Sequence, residues 1–232
     1  MTDSDRIRSN GLTAVRNEFL SCAGTARDLI AHPDVAMAWD LPSALEQLTV
    51  GGLSSHLSRA VATVISYLDG ATPGPGAAES LPSGGPVSAV QYMLGAITTF
   101  DLGAPLHAGI RDRSEAGAAD GPVAIVRAMN EAIMFLTEAM HTIGADRHLE
   151  VFGGMIMVFD DYLETRLAEL VIHLDDLAAS VGIDTPGLPA SAIARVVDNC
   201  FAAARARHGD RAVLTAMARP ERDVISRALR VF

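Results

Sequence analysis

Apolar residues recur along this chain at intervals of three and four, the repeat that lines one face of an α-helix. Ile7, Leu12, Val15, Phe19 and Cys22 carry it through a first helix over residues 5–31. His32-Pro33 ends that helix, because the residue before a proline is pushed out of the helical region. A connector with the only Trp, Trp39, leads to a second helix over 49–69. Its core face is Leu53, Leu57, Val61, Val64 and Leu68, and Gly70 stops it. A third begins at Gly121-Pro122, with proline at the first helical position. It runs to residue 142 with Ile125, Met129, Ile133, Leu136 and Met140 inward. A fourth covers 155–180, where Leu163, Leu167, Leu170, Leu174, Leu177 and Val181 alternate by four and three like a bundle seam. Gly182 caps it.

Between these runs the pattern breaks. Residues 71–87 are dense in Pro, Gly, Ser and Ala and read as a long loop. A short helix over 89–97 is followed by an irregular stretch through His107 and Arg111. The stretch GADRHLEVFGG before the fourth helix reads as a loop. A fifth helix over 190–207 and a short one near 221–229 complete the chain. No βαβ alternation and no phosphate-cradling glycine loop occur, which argues against a nucleotide enzyme. The expected fold is all-α: a four-helix bundle with extra short helices, residues 1–232 forming one domain and 183–232 a helical extension.

Composition sharpens this picture. Hydrophobic residues make up 49% of the 232 and aromatics only 5%, so aliphatic side chains must fill a sizeable core. A net charge of -10 argues against nucleic acid and against an anionic membrane surface as partner. All eighteen basic residues are Arg. With no Lys, a Schiff-base mechanism is excluded; with the abundant Ala and Gly, the usage looks like a high-GC bacterium. The two cysteines, Cys22 and Cys200, lie far apart, in no metal-knuckle or disulfide spacing. Cys200 reads as a small core residue. The polar start MTDSDRIRSN has no signal-peptide character, and no run is long enough to span a bilayer. A cytoplasmic protein, monomer or homodimer, is expected.

The chemistry concentrates on the fourth helix. Glu169 and His173 stand four residues apart, one turn along one face. Tyr162, Arg166 and Asp176 share that stripe. It adjoins the leucine seam, so its polar groups point toward the bundle, where a buried charge needs a partner or a metal. A catalytic zinc takes three protein ligands and keeps a fourth position open. His56 is the candidate third ligand, beside Leu53 and Leu57, with Gly52 four residues earlier leaving space for the ion. Spacing alone also fits a surface ion pair and a satisfied core histidine.

Two stretches carry a resemblance. Trp39 followed by LPSALEQLTVGGLSSHLSRA is similar to a pattern of Trp, Ser, T-V-x-x-L and H-L-x-R. DYLETRLAELVIHLDDLAASVGI is similar to T-R-x-x-E-L-x-x-H-x-x-D-L-A. A third, IRDRSEAGAADGPVAIVRAM, resembles the segment opening the third helix. Together they resemble the mycothiol-dependent maleylpyruvate isomerase family of the DinB-like metal-dependent bundles. The resemblance implies a four-helix bundle with a divalent metal, usually zinc, held by His56, Glu169 and His173. It also implies mycothiol or a similar thiol as cofactor. Two imidazoles among three ligands favour zinc over magnesium or calcium. Isomerases of this type often carry a C-terminal sterol-carrier-like domain, for which residues 183–232 are too few. The expectation is therefore a thiol transferase acting on a small electrophile. A cis–trans isomerase of the maleylpyruvate type and a non-catalytic binding bundle are the alternatives.

Other residues have two readings each. Asp176 orients a ligand or holds the thiol cofactor, or is a solvated carboxylate. Arg59 reaches Asp176 or a substrate anion, or forms a structural ion pair. Arg166 is expected to bridge to Glu169 or Tyr162. Trp39 lines the pocket mouth or anchors packing. His107, His141 and His148 are expected in or near loops and exposed. Met129, Met134, Met140 and the GGMIMVF run are expected in the core.

Overall fold

The computed structural model describes residues 12–70, 85–96 and 105–219. Four long helices form the bundle: α1 (Ala14–Ile30), α3 (Val50–Leu68), α6 (Gly121–Ala139) and α7 (Phe159–Val181). Their buried faces follow the seams read from sequence, with Phe19 and Cys22 on α1, Leu53, Leu57 and Val61 on α3, Met129 and Leu136 on α6, and Leu163 through Leu177 on α7. Among the described residues the fold is all-α apart from one small hairpin.

Local chemistry sets the helix ends. Pro33 closes off α1 and opens the one-turn α2 (Pro33–Met37), where the His32 ring accepts from the Asp34 N–H at 3.3 Å. Thr49 caps α3, its Oγ1 accepting from the Gly52 N–H at 2.9 Å. Gly182 ends α7 with φ 69°, a left-handed cap. Arg16, 3% exposed, holds three elements together. Its guanidinium donates to Asp160 at 2.7 Å and to the Met140 and Ile143 carbonyls at 2.8 Å.

Several elements differ from the expectation. Residues 105–118, expected to be irregular through His107 and Arg111, form helix α5 (Pro105–Ala118) after the short α4 (Ala89–Ala96). Its only buried residues are Ser114 and Ala118, so no apolar stripe announces it. Small residues let it lie close on α3: a Cβ on Gly117 would strike the Ser55 hydroxyl. GADRHLEVFGG is not a loop. β1 (His148–Val151) pairs antiparallel with β2 (Met155–Val158), His148 opposite Val158. Gly153 and Gly154, at φ 79° and 73°, supply the left-handed backbone that reverses the chain. Residues 155–158 are therefore strand, and α7 starts four residues later than its periodicity predicts. α6 stops at Ala139, short of the predicted 142, and Met134 on it is exposed rather than in the core.

After α7 come α8 (Ala190–His208) and α9 (Asp210–Ala218). Arg195 ties α8 to the bundle through Glu18 at 2.7 Å and Glu164 at 2.9 Å. α9 was not anticipated. The start of the first predicted helix, most of the Pro/Gly-rich loop and the helix near 221–229 lie outside the described residues.

Candidate metal centre

α3 and α7 pack face to face, and their seams leave one polar patch between them. His56 Nε2 lies 3.1 Å from Glu169 Oε2, and His173 Nε2 lies 3.2 Å from the same oxygen. The two rings meet edge to face with centroids 5.0 Å apart. One ligand atom from each of the three residues falls within 4.8 Å of the others.

The outer edges of both rings are held. His173 Nδ1 faces Asp176 Oδ2 at 2.8 Å. A carboxylate only accepts, so Nδ1 carries the proton there. Ser114 Oγ gives its hydrogen to the Ile110 carbonyl at 2.8 Å and stands 3.5 Å from His56 Nδ1. It is therefore placed to accept from that ring as well. Arg166 lies 3.6 Å from Glu169 Oε1 and 5.3 Å over the Tyr162 ring. Both imidazoles thus turn Nε2 inward toward Glu169 Oε2, three electron-pair donors facing one point. That donor set, with each ring oriented from behind, fits a divalent zinc-type ion.

Burial alone would push the Glu169 carboxyl up. Hydrogen bonds from His173 and His56, with the Arg166 charge, outweigh it and hold the group well below the ordinary range. Burial likewise opposes a charge on His173, yet hydrogen bonds to Asp176 and Glu169 lift its imidazole to about 9.

The triad opens into a cleft of about 190 Å³, with His56 and Glu169 in its lining. Tyr67 and Tyr92 line it, and the buried Tyr162 packs against them, its ring 5.2 Å from Tyr67 and 6.4 Å from Tyr92. Tyr162 donates to Thr63 Oγ1 at 3.2 Å. Burial raises all three phenols, Tyr67 to about 12, so they stay protonated donors near neutrality.

The other candidates take definite places. Arg59 lines the cleft, one turn past His56. Asp176 does not; it sits behind His173 and lines a groove between α7 and α8. No ion pair joins the two among the described residues. Gly52 does not make room for an ion. A Cβ there would strike the carboxylate of Glu115, which accepts from the Thr49 N–H at 2.7 Å and hydroxyl at 2.8 Å. Trp39 packs on Gly51 and donates to the Ala118 carbonyl at 3.2 Å. His107 is not in a loop: it is half-buried on α5 and lines the cleft, whereas His141 and His148 are exposed. Cys22 is fully buried and Cys200 partly so.

Arg113, Tyr92 and His107 in the cleft lining, and Ser114 behind the His56 ring, were missed because α5 was not foreseen and α4 has no polar stripe. The scarcity of tyrosine was the one usable signal.

Neither the curated proteins nor the solved structures give a match to this chain. A family model, described as the mycothiol maleylpyruvate isomerase N-terminal domain, matches residues 20–178. That span runs from α1 to the last turn of α7 and contains His56, Glu169 and His173. With its all-α bundle, the chain belongs to the mycothiol maleylpyruvate isomerase N-terminal domain family of the DinB-like superfamily.

Proposed function

We propose that the chain is a metal-dependent thiol transferase. Zinc held by His56, Glu169 and His173 serves mycothiol or a similar small thiol in attack on a small electrophile. The observation that carries this reading is the convergence of two imidazole nitrogens and one carboxylate oxygen beside a cleft that His56 and Glu169 line. A divalent ion bound there supplies Lewis acidity, which lowers a thiol's pKa so that thiolate is present at neutral pH.

The chain's own residues do the rest. Asp176 and Ser114 fix the two rings from behind, and Arg166 fixes the outer oxygen of Glu169. Tyr67, Tyr92 and Phe152 give the cleft apolar walls that limit water. In transfer the thiol loses its proton, an S–C bond forms, and the leaving group departs with its electron pair.

The family's own description favours a second reading, a thiol-dependent cis–trans isomerase. There the S–C bond forms, the carbon skeleton rotates, and the same bond breaks to return the thiol. We take residues 183–232 as a helical extension of one domain, and the protein as cytoplasmic. No described helix is long and apolar enough to cross a membrane.

Metal analysis tests the shared premise. Protein purified without chelators should hold a near-stoichiometric divalent metal that His56→Ala loses. A metal-free wild type would sink both enzyme readings and leave the non-catalytic bundle. Incubation with mycothiol and a bimane electrophile, beside a maleylpyruvate isomerisation assay, then separates them: conjugate without isomerisation selects the transferase.

A further inference from the structure

The cleft in front of the triad is unexpectedly basic for a chain with 28 acidic and 18 basic residues. Arg59 on α3 and Arg113 on α5 both line it. Outside the cleft, Arg16 meets Asp160, Arg27 meets Asp28, Arg195 meets Glu18 and Glu164, and Arg205 meets Asp210, while Arg147 donates to the Leu68 carbonyl. Arg59 and Arg113 pair with no carboxylate among the described residues. Glu169 is the acid in the cleft lining, and its oxygens already face His56, His173 and Arg166.

Both arginines are tied to the triad by short links. Arg59 lies one turn beyond His56 on the same helix. Arg113 directly precedes Ser114, which backs the His56 ring. Two like charges are thus held at one opening, next to the triad.

We propose that Arg59 and Arg113 form an anion subsite in the outer part of this cleft, taking the carboxylate or phosphate group of a small electrophilic substrate. The inference rests on the thiol-transfer reading and adds the charge class of the second substrate to it. Guanidinium groups suit such oxyanions because their N–H forks match two oxygens at once. Burial, and then Arg113, push the Arg59 guanidinium below its ordinary value, and a bound anion would offset the repulsion from Arg113. The cleft volume limits the ligand to a small molecule. The orientation follows: the anionic end is held at the α3–α5 side, and the reacting carbon points down toward His56 and Glu169.

Calorimetry on the full zinc-loaded chain tests this with succinate, inorganic phosphate and the neutral succinamide. Succinate or phosphate should bind saturably and weaken with salt, and succinamide should not bind. Tighter succinate marks a carboxylate substrate; tighter phosphate marks a phosphoester. Arg59→Gln and Arg113→Gln should each weaken the better anion roughly tenfold, while Arg127→Gln, on exposed α6 surface, leaves it unchanged. Neither cleft arginine pairs with a carboxylate among the described residues, so folding, checked by circular dichroism, should survive. The same titration on His56→Ala separates the two ideas, since anion binding should persist there even if metal does not. Equal binding of succinamide and succinate, or undiminished anion binding in the double variant, overturns the proposal.

Discussion

Asp176 Oδ2 stands 2.8 Å from Nδ1 of His173, on the side of the ring away from Glu169. The carboxylate sets which nitrogen of His173 carries hydrogen, and so which one offers a lone pair to the cleft. Asp176→Asn keeps the shape but can present an N–H to Nδ1 and reverse the tautomer. Metal affinity should fall about 10–100-fold, read by competition with a coloured chelator. Unchanged affinity would leave Asp176 a surface carboxylate.

Loading the metal should stabilise the fold, since the ligands meet only in the folded state. At a free ion concentration near 100 times the dissociation constant the gain is about 2.7 kcal/mol. Stripped protein should therefore unfold at lower temperature, recover on adding zinc, and lose that recovery in His56→Ala. A melting temperature indifferent to zinc would count against the site.

Arg16 is a second, purely structural test. Its buried guanidinium serves Asp160 and two carbonyls at the end of α6. Arg16→Ala leaves all three without their donor and should cost about 3–5 kcal/mol. Urea unfolding should show a lowered midpoint with an unchanged slope.

The buried thiol of Cys22 gives a pH dependence. Burial first, and then the charge of Glu18, push it up to about 12, against roughly 8.5 in an unfolded chain. The folded value is the higher, so the stabilisation is complete below pH 8.5 and is lost as pH rises toward 12. Stability should fall by at most about 1.4 kcal/mol per pH unit from this group. Comparing urea midpoints at pH 8 and 10 should show a shallower fall in Cys22→Ala than in the wild type.

Gly182 ends α7 at φ 69°, with no neighbouring atom near its missing Cβ. Gly182→Ala therefore meets no clash and pays only the left-handed backbone strain, about 1–2 kcal/mol. A loss of that size in thermal unfolding, with metal content unchanged, is expected.

The bundle was legible where aliphatic residues repeat strictly. Leu53 through Val64 and Leu163 through Leu177 announce α3 and α7, and the family motif on those helices points to His56, Glu169 and His173. Legibility failed where structure depends on smallness. α5 is recognised by what Ser114 and Gly117 lack rather than by an apolar stripe, so Arg113 and His107 were not placed at the cleft, nor Ser114 behind His56. The hairpin was hidden by two glycines, although His148 to Val151 alternates exposed and buried as a strand should. Gly52 was misread because a missing side chain does not say which neighbour fills its space; here it is Glu115.

The pairing of His56 with Glu169 spans 113 residues. An unfolded chain keeps only Glu169 and His173 near one another, and two ligands grip an ion far less well than three. Whatever ion settles there is selected by a docked pair of helices, not by a peptide that happens to pass it. A molecule that bound a metal at the proposed site would in this sense be one that has completed its folding, and metal content would double as a count of correctly assembled protein.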